Sequence, residues 1–343
     1  MVATPKGERI VITGGCHDCG GRCLFQVHVQ DGVITRIETD DGEEPQLRAC
    51  VRGRAYRQRV YAQDRLTSPL KRVGERGTGQ FEKISWDEAL DTVARELIRV
   101  RDTYGPEASL LVAYFGSPGQ LHAGRAMRRL LAMAGGCSVT WAMISGEACT
   151  HAVLSTYGTG QMGNTRDDLL NSRLIILWGW NPANTIWSTN NPWHLMRAKE
   201  AGIPIICVDP RFTDTVASLT GRWIPIRPGT DSAMMAAMAF VMITENLHDQ
   251  RFLDTYTVGF QRFKDYVLGE EDRVPKTPEW AEAICGVPAQ TIAELAREYA
   301  TTKPAALLAG FSPGRSAFGE QYHRSAMTLA AMTGNVGIHG GNA

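Results

Sequence analysis

Between Leu24 and Glu38, apolar and polar residues alternate with a period of two on either side of Asp31-Gly32. Successive side chains in a strand point to opposite faces, so the alternation predicts two half-buried strands. The Asp-Gly pair between them predicts a tight hairpin. After Ser85 the period lengthens: Ala89, Leu90, Val93, Ala94 and Leu97 recur at the spacing of one helix face. Ser85-Trp-Asp-Glu88 in front of them reads as a capping box, in which the Ser85 oxygen accepts an orphan amide and Glu88 reaches back. Gly105-Pro106 reads as the stop. Ser109–Tyr114 reads as a strand. A helix from about Gln120 then presents Ala123, Met127, Leu130 and Ala134 on one face, until Gly135-Gly136 ends it.

Farther along, Arg173–Trp178, Ile203–Val208, Trp223–Ile226 and Pro304–Gly310 are short runs dominated by apolar residues. Helical stretches near Pro192–Glu200, at 231–243, near Glu279, at Pro288–Ala300 and at Gln321–Met332 are interspersed with them. Strands apolar on both faces, alternating with helices, belong to a parallel sheet covered on both sides. The expected fold class is α/β: a small β-rich domain followed by doubly wound, mostly parallel α/β domains. Residues 231–243 are apolar all round, which predicts a buried helix. Met234, Met235, Met238 and Met242 therefore read as core filling and not as copper ligands.

Composition narrows the picture. At 343 residues the chain has room for about two domains. Lys plus Arg (36) balance Asp plus Glu (36), so no net field draws the molecule to nucleic acid or to a membrane surface. No apolar run nears the ~20 residues that span a bilayer. The start, Met1-Val-Ala-Thr-Pro-Lys6, shows neither a charged-then-apolar leader nor a twin arginine. The expected compartment for the chain as it stands is the cytoplasm.

Candidate chemistry enters with the cysteines. Four of the eight stand in one stretch as C-x2-C-x3-C-x26-C: Cys16, Cys19, Cys23 and Cys50. Thiolates select zinc, copper(I) or iron–sulfur clusters. Structural zinc favours two separated pairs, whereas a tight triplet with one distant cysteine suits a cubane that takes one thiolate at each of four corners. The spacing favours the iron–sulfur cluster, with zinc as the rival. Of the remaining Cys137, Cys149, Cys207 and Cys285, the last two read as buried thiols.

Residues 48–76 carry nine cations against Asp64 and Glu75. They form a solvated face, a nucleic-acid surface or a counter-charge for an anionic cofactor, and no aromatic stripe accompanies them to support nucleic acid. Three loops follow apolar strands: Gly179–Thr185, Asp209–Thr213 and Arg227–Asp231. Ligands of open α/β sheets collect on that edge. None of the three is G-x-G-x-x-G, so a nicotinamide or flavin site of that kind has no support. Asn-Pro and Pro-Gly are also plain turn formers, and Asp231 suits a helix N-cap.

Cys16-His-Asp-Cys-Gly-Gly-Arg-Cys23 and Arg48-Ala-Cys-Val-Arg-Gly-Arg54 resemble the amino-terminal [4Fe–4S] segment of the dimethyl sulfoxide reductase family of molybdopterin oxidoreductases. The similarity continues at intervals to the last residues. It implies a [4Fe–4S] cluster on Cys16, Cys19, Cys23 and Cys50, and a bis-molybdopterin guanine dinucleotide carrying molybdenum or tungsten. Arg52 is implied between cluster and pterin. Gly179, Asn181, Pro182, Thr185, Asp209, Pro210, Arg211, Thr213, Gly229, Thr230 and Asp231 are implied along the guanine dinucleotide arm. In that assignment Asp209 accepts from ribose or amide groups, Asp231 pairs with the guanine edge, and Asn181 and Arg211 line the pyrophosphate. Ser145 is implied as the metal ligand, with Cys149 as its rival.

The resemblance also implies an organisation. Residues 1–66 hold the cluster, 67–155 form a first α/β domain with the metal-ligand loop near 141–150, 156–301 form an inserted α/β domain for the guanine dinucleotide, and 302–343 make a truncated return to the first. Gly334–Ala343 matches a glycine-rich segment that continues into further chain, so the sequence is expected to be the amino-terminal portion of a longer catalytic subunit. The implied activity is reduction of a small S- or N-oxide by oxygen-atom transfer. Electrons would come through the cluster from an iron–sulfur subunit and a membrane anchor subunit, and no nucleic acid is involved. The alternatives are a non-redox hydratase, a dehydrogenase, or an electron-transfer subunit with a vestigial pterin site. Removal of a twin-arginine leader would make the location periplasmic or membrane-associated.

Overall fold

The computed structural model describes residues 2–3, 7–14, 23–40, 42–44, 47–113, 122–140, 146–160, 163–185 and 190–341. They fall into two compact units, one ending at residue 140 and the other starting at residue 146.

The first unit opens with an antiparallel sheet in the order β1 (Val2–Ala3), β2 (Arg9–Gly14), β3 (Leu24–Gln30), β4 (Val33–Thr39). Asp31 (φ 51°) and Gly32 (φ 81°) are both left-handed at the β3–β4 turn, the geometry that an Asp-Gly hairpin needs. Phe25, Val27, Ile37 and Ala49 form a small core. Helix α1 (Val51–Val60) packs beside β4. Sequence patterning missed it because its four arginines leave no apolar stripe. Gly53 is buried where a side-chain carbon would lie 2.7 Å from the Phe25 ring, so its bareness sets how closely helix and sheet approach.

Much of the basic run turns into local staples. Arg48 donates to the carbonyls of Asp40 and Gly42, Arg57 to that of Thr35 (2.8 Å), and Lys71 pairs with Glu88 (3.0 Å). Such exposed contacts contribute about 1 kcal/mol or less each. The solvated-face reading therefore covers a good part of this charge.

A two-stranded hairpin, β5 (Leu70–Arg72) and β6 (Phe81–Lys83), leads into α2 (Trp86–Tyr104). Ser85 caps α2 by accepting from the Glu88 amide at 3.0 Å. The Glu88 carboxylate turns out to Lys71 instead of reaching back, so only half of the expected capping box forms. β7 (Leu110–Leu111), α3 (Ala123–Met133) and β8 (Ser138–Val139) complete the unit, with β7 and β8 parallel. Gly135 (φ 112°) and Gly136 (φ 117°) end α3, and the Gly136 amide bonds back to the Leu131 carbonyl at 2.8 Å.

The second unit is a four-stranded parallel sheet in the order β11 (Arg222–Ile224), β10 (Ile205–Val208), β9 (Leu174–Trp178), β12 (Ala305–Ala309). Side chains alternate between two cores. Ile175, Leu177, Ile205, Cys207 and Ala306 face α5 (Asn191–Glu200) and α6 (Asp214–Leu219). Leu174, Ile176, Trp178, Val208 and Leu307 face α7 (Asp231–Thr244), α10 (Pro278–Cys285), α11 (Ala289–Thr301) and α12 (Glu320–Met332). The four methionines of α7 are buried in this second core, and Cys207 and Cys285 are buried as well. α8 (Gln250–Tyr256) and α9 (Phe260–Leu268) flank it.

The sequence division placed 67–155 in a first α/β domain and returned the chain to it from residue 302. In the structure α4 (Glu147–Tyr157) packs on α12 within the second unit, and β12 pairs in register with β9, Ala305 opposite Leu174. The reason is compositional, since Ala305, Ala306 and Leu307 are apolar on both faces and fill both cores. His339 and Gly340 are fastened by the buried Asp168 carboxylate, which accepts from His339 Nδ1 (2.8 Å), the Gly340 amide (2.7 Å) and Asn171 Nδ2 (2.9 Å).

Candidate cofactor-binding site

Because all four strands of the second unit run the same way, the loops that follow them leave one edge. From β9 the chain moves outward to β10 and β11, then returns to β12 on the other flank of β9. The crevice between β9 and β12 is therefore the point where winding reverses, where doubly wound folds bind their ligands. Its floor is bare backbone. A side-chain carbon on Gly310 would lie 2.2 Å from the Gly179 oxygen, and one on Gly179 (φ 58°) would lie 2.5 Å from Pro313.

Gly179, Asn181, Pro182, Asp209, Pro210, Arg211, Thr213, Gly229, Thr230 and Asp231 all come from loops on this edge, as does the exposed Thr185. The loop after β9 is laced to the first turn of α6: the Thr215 hydroxyl donates to Asn181 Oδ1 (2.6 Å) and accepts from the Ala183 amide (3.0 Å). Thr213 caps α6 through the Val216 amide. Asp209 Oδ1 accepts from the Arg211 amide at 2.9 Å, shaping the turn that leaves the Arg211 side chain exposed. Thr230, not Asp231, takes the N-cap position of α7, and its hydroxyl donates to the Arg227 carbonyl.

Asp231 is turned inward. It is 4 % exposed, and Oδ1 accepts from the Trp178 indole at 2.8 Å. Burial raises its proton affinity, and the Trp178 hydrogen bond offsets part of that rise. Tyr322 completes the network by donating to the Trp178 carbonyl at 2.8 Å.

Sequence reading passed over the fourth loop of this edge, Gly310–Gly319, although the strand before it was recognised. The signal was present in Gly310-Phe-Ser-Pro-Gly314, a set of turn formers directly after an apolar run. Behind it stands His323, 2 % exposed, with Nε2 lacking a hydrogen-bond partner among the described residues and lying against Gly314. Burial pushes this imidazole down to about 4, so it is neutral at physiological pH.

The proposed cluster ligands belong to the first unit. Cys50 is exposed at the N-cap of α1, whose first turn holds no acidic residue, and Cys23 is half-buried against the Phe25 core. Arg52 is exposed in the first turn of α1, two residues after Cys50. Cys16, Cys19 and Ser145 lie outside the described residues. The donor set fits the expected groups: soft sulfur at the amide-rich head of a helix for iron, and an edge with a backbone floor, an exposed cation and two carboxylates for a nucleotide arm.

Comparison with known proteins gives the same answer for both units. Residues 65–343 match the molybdopterin oxidoreductase family, and residues 11–62 match the molybdopterin oxidoreductase Fe4S4 domain. The chain is 42% identical to the putative dimethyl sulfoxide reductase chain YnfE of Escherichia coli over 99% of its own length and 45% of the relative's. It is 34% identical to the dimethyl sulfoxide/trimethylamine N-oxide reductase of Cereibacter sphaeroides, covering 96% of this chain and 42% of that one. Among solved structures, acetylene hydratase from Pelobacter acetylenicus superposes with a TM-score of 0.78 at 26% identity, over 96% of this chain and 44% of that one. The chain thus spans a little under half the length of these relatives. The two matched regions carry with them a molybdopterin and a [4Fe–4S] cofactor. With its parallel α/β unit and cysteine-bearing β-rich lobe both matched, the chain belongs to the molybdopterin oxidoreductase family.

Proposed function

We propose that this chain is the cofactor-holding amino-terminal part of an enzyme that reduces a small S- or N-oxide by oxygen-atom transfer. For a sulfoxide the balance is one substrate, two electrons and two protons giving the sulfide and one water. The observation that carries it is the match of 96–99% of the chain to relatives described as dimethyl sulfoxide or trimethylamine N-oxide reductases. When bound, the pterin-held metal, molybdenum or tungsten, supplies the two-electron abstraction of oxygen from the substrate.

This chain's residues hold and orient. Cys16, Cys19, Cys23 and Cys50 would carry the cluster that passes electrons inward, and Arg52 would balance charge between cluster and bis-pterin. Arg211 and Asn181 would lie along the pyrophosphate, and Asp209 and Asp231 would accept from ribose and guanine. Ser145 would offer the metal a hard oxygen. Cys149, its rival, packs against Ala152, Val153 and Met327. An iron–sulfur subunit and a membrane anchor subunit would supply the electrons.

The test uses the longest native form of the protein, with reduced viologen as donor. Dimethyl sulfoxide or trimethylamine N-oxide should oxidise the dye, and Cys50→Ala should remove the cluster absorbance together with that activity. The likeness to acetylene hydratase favours a second, non-redox reading. Hydration of acetylene without oxide-dependent dye oxidation would establish that reading and end the first. Iron without molybdenum or tungsten in the same preparation would leave only an electron-transfer role.

A further inference from the structure

Trp178 ties together three of the loops on the ligand edge. Its carbonyl accepts from the Gly310 amide at the crevice floor (2.8 Å) and from the Tyr322 hydroxyl (2.8 Å). Its backbone lies between Val208 of β10 and Ala309 of β12, and Gly179, which opens the loop after β9, follows it. Its side chain is fully buried, and the indole N–H donates to Asp231 Oδ1 at 2.8 Å. An indole N–H can only donate, and a close-packed core leaves the ring no second place to go. Trp178 therefore sets the orientation of the Asp231 carboxylate and keeps Oδ1 an acceptor. That matters because burial above all, and then the Asp209 carboxylate, favour the protonated form of Asp231. Protonation would turn one of its oxygens into a donor.

We propose that Trp178 is a positioning residue for base recognition: its indole N–H fixes the Asp231 carboxylate to accept from the neighbouring N–H groups of a guanine base. The proposal rests on the reading that these loops hold a guanine nucleotide arm. Guanine presents a ring N–H and an amino group side by side, which suit an acceptor-only carboxylate. Adenine has a ring acceptor on the corresponding edge and would meet the carboxylate lone pair to lone pair. A carboxylate free to rotate or to take up a proton would discriminate less between the two. Trp178 thus acts on the base through Asp231 and touches no ligand itself.

The experiment titrates GDP and ADP, which share ribose and pyrophosphate and differ in the base, into the longest native form prepared free of cofactor. The native protein should bind GDP more tightly than ADP. Trp178→Phe should weaken GDP by about tenfold, the effect of one hydrogen bond to a charged group, and change ADP by less than about twofold. Benzothienylalanine at position 178 keeps the ring shape and puts sulfur in place of the N–H, so it gives the same reading should phenylalanine disturb the fold. In an Asp231→Ala background, Trp178→Phe should cost GDP nothing further. Unchanged GDP affinity in both position-178 variants, equal weakening of GDP and ADP, or a further loss in the Asp231→Ala background would each overturn the proposal while leaving the guanine reading in place. A native protein that binds GDP no better than ADP would remove the guanine reading itself, and the role of Trp178 with it.

Discussion

β9 through β12 and the β7–β8 pair are both parallel ladders joined by helical crossovers, and their local signals are equally strong. In the first, Leu174, Ile176 and Trp178 face one helical layer while Ile175 and Leu177 face another, and all five are fully covered. In the second, α2 has a Ser85 cap and an apolar stripe, yet none of its residues is fully buried. Periodicity reports which element a segment forms. Whether a partner layer exists to cover it is a separate matter, decided by how many layers the same stretch of chain brings along.

Substitutions in the two sheets would sharpen or break that contrast. Leu177→Ala should destabilise by ~2–5 kcal/mol, the range for emptying a sealed core position. Leu90→Ala in the 343-residue chain should change stability by less than about 0.5 kcal/mol. Denaturant titration measures both, and similar losses would show that the open face is already covered within these residues.

His323 supplies the next largest effect, and it belongs to the closed unit alone. Its imidazole titrates near 4 in the fold against 6.5 ordinarily, so below pH 6.5 the unfolded chain takes up a proton that the fold refuses. Stability should fall as pH drops from 6.5 towards 4, by on the order of 3 kcal/mol in total. His323→Gln should flatten that decline in a melting series, and an unchanged slope would assign the acid sensitivity elsewhere.

At the open helix, Ser85→Ala should cost about 1 kcal/mol through loss of the cap, with the signal confined to the exchange rates of the first turn of α2. The smallest effect is a change of slope. Asp231 holds its proton more tightly in the fold than in the unfolded chain. Its stabilising share is therefore present below the usual carboxylate range and is lost as pH rises through the raised value. Asp231→Asn keeps an acceptor for Trp178 and should remove that loss, leaving the cofactor-free protein no less stable at neutral pH. A destabilised variant would mean that the charge itself holds Trp178.

Much of the second unit could be read in advance, because buried strands such as Leu174–Trp178 and Ile205–Val208 are apolar throughout and end in turn-forming loops. The edge carrying Asn181, Asp209 and Asp231 followed from the parallel arrangement alone. Helix α1 was hidden because it meets the sheet through Gly53, Tyr56 and an Arg57 hydrogen bond, which produce no apolar period. The inward turn of Asp231 was equally hidden, since it depends on Trp178, 53 positions earlier in the chain. The same holds for β12, whose place beside β9 is fixed by pairing across more than a hundred residues.

The meeting of Gly179 and Gly310 constrains any redesign of this scaffold. Where two loops touch through their main chains, no rotamer can yield and no substitution can be absorbed by repacking. Selectivity engineered into the molecule must therefore be written into the outer parts of the loops, above a base that admits no new atoms.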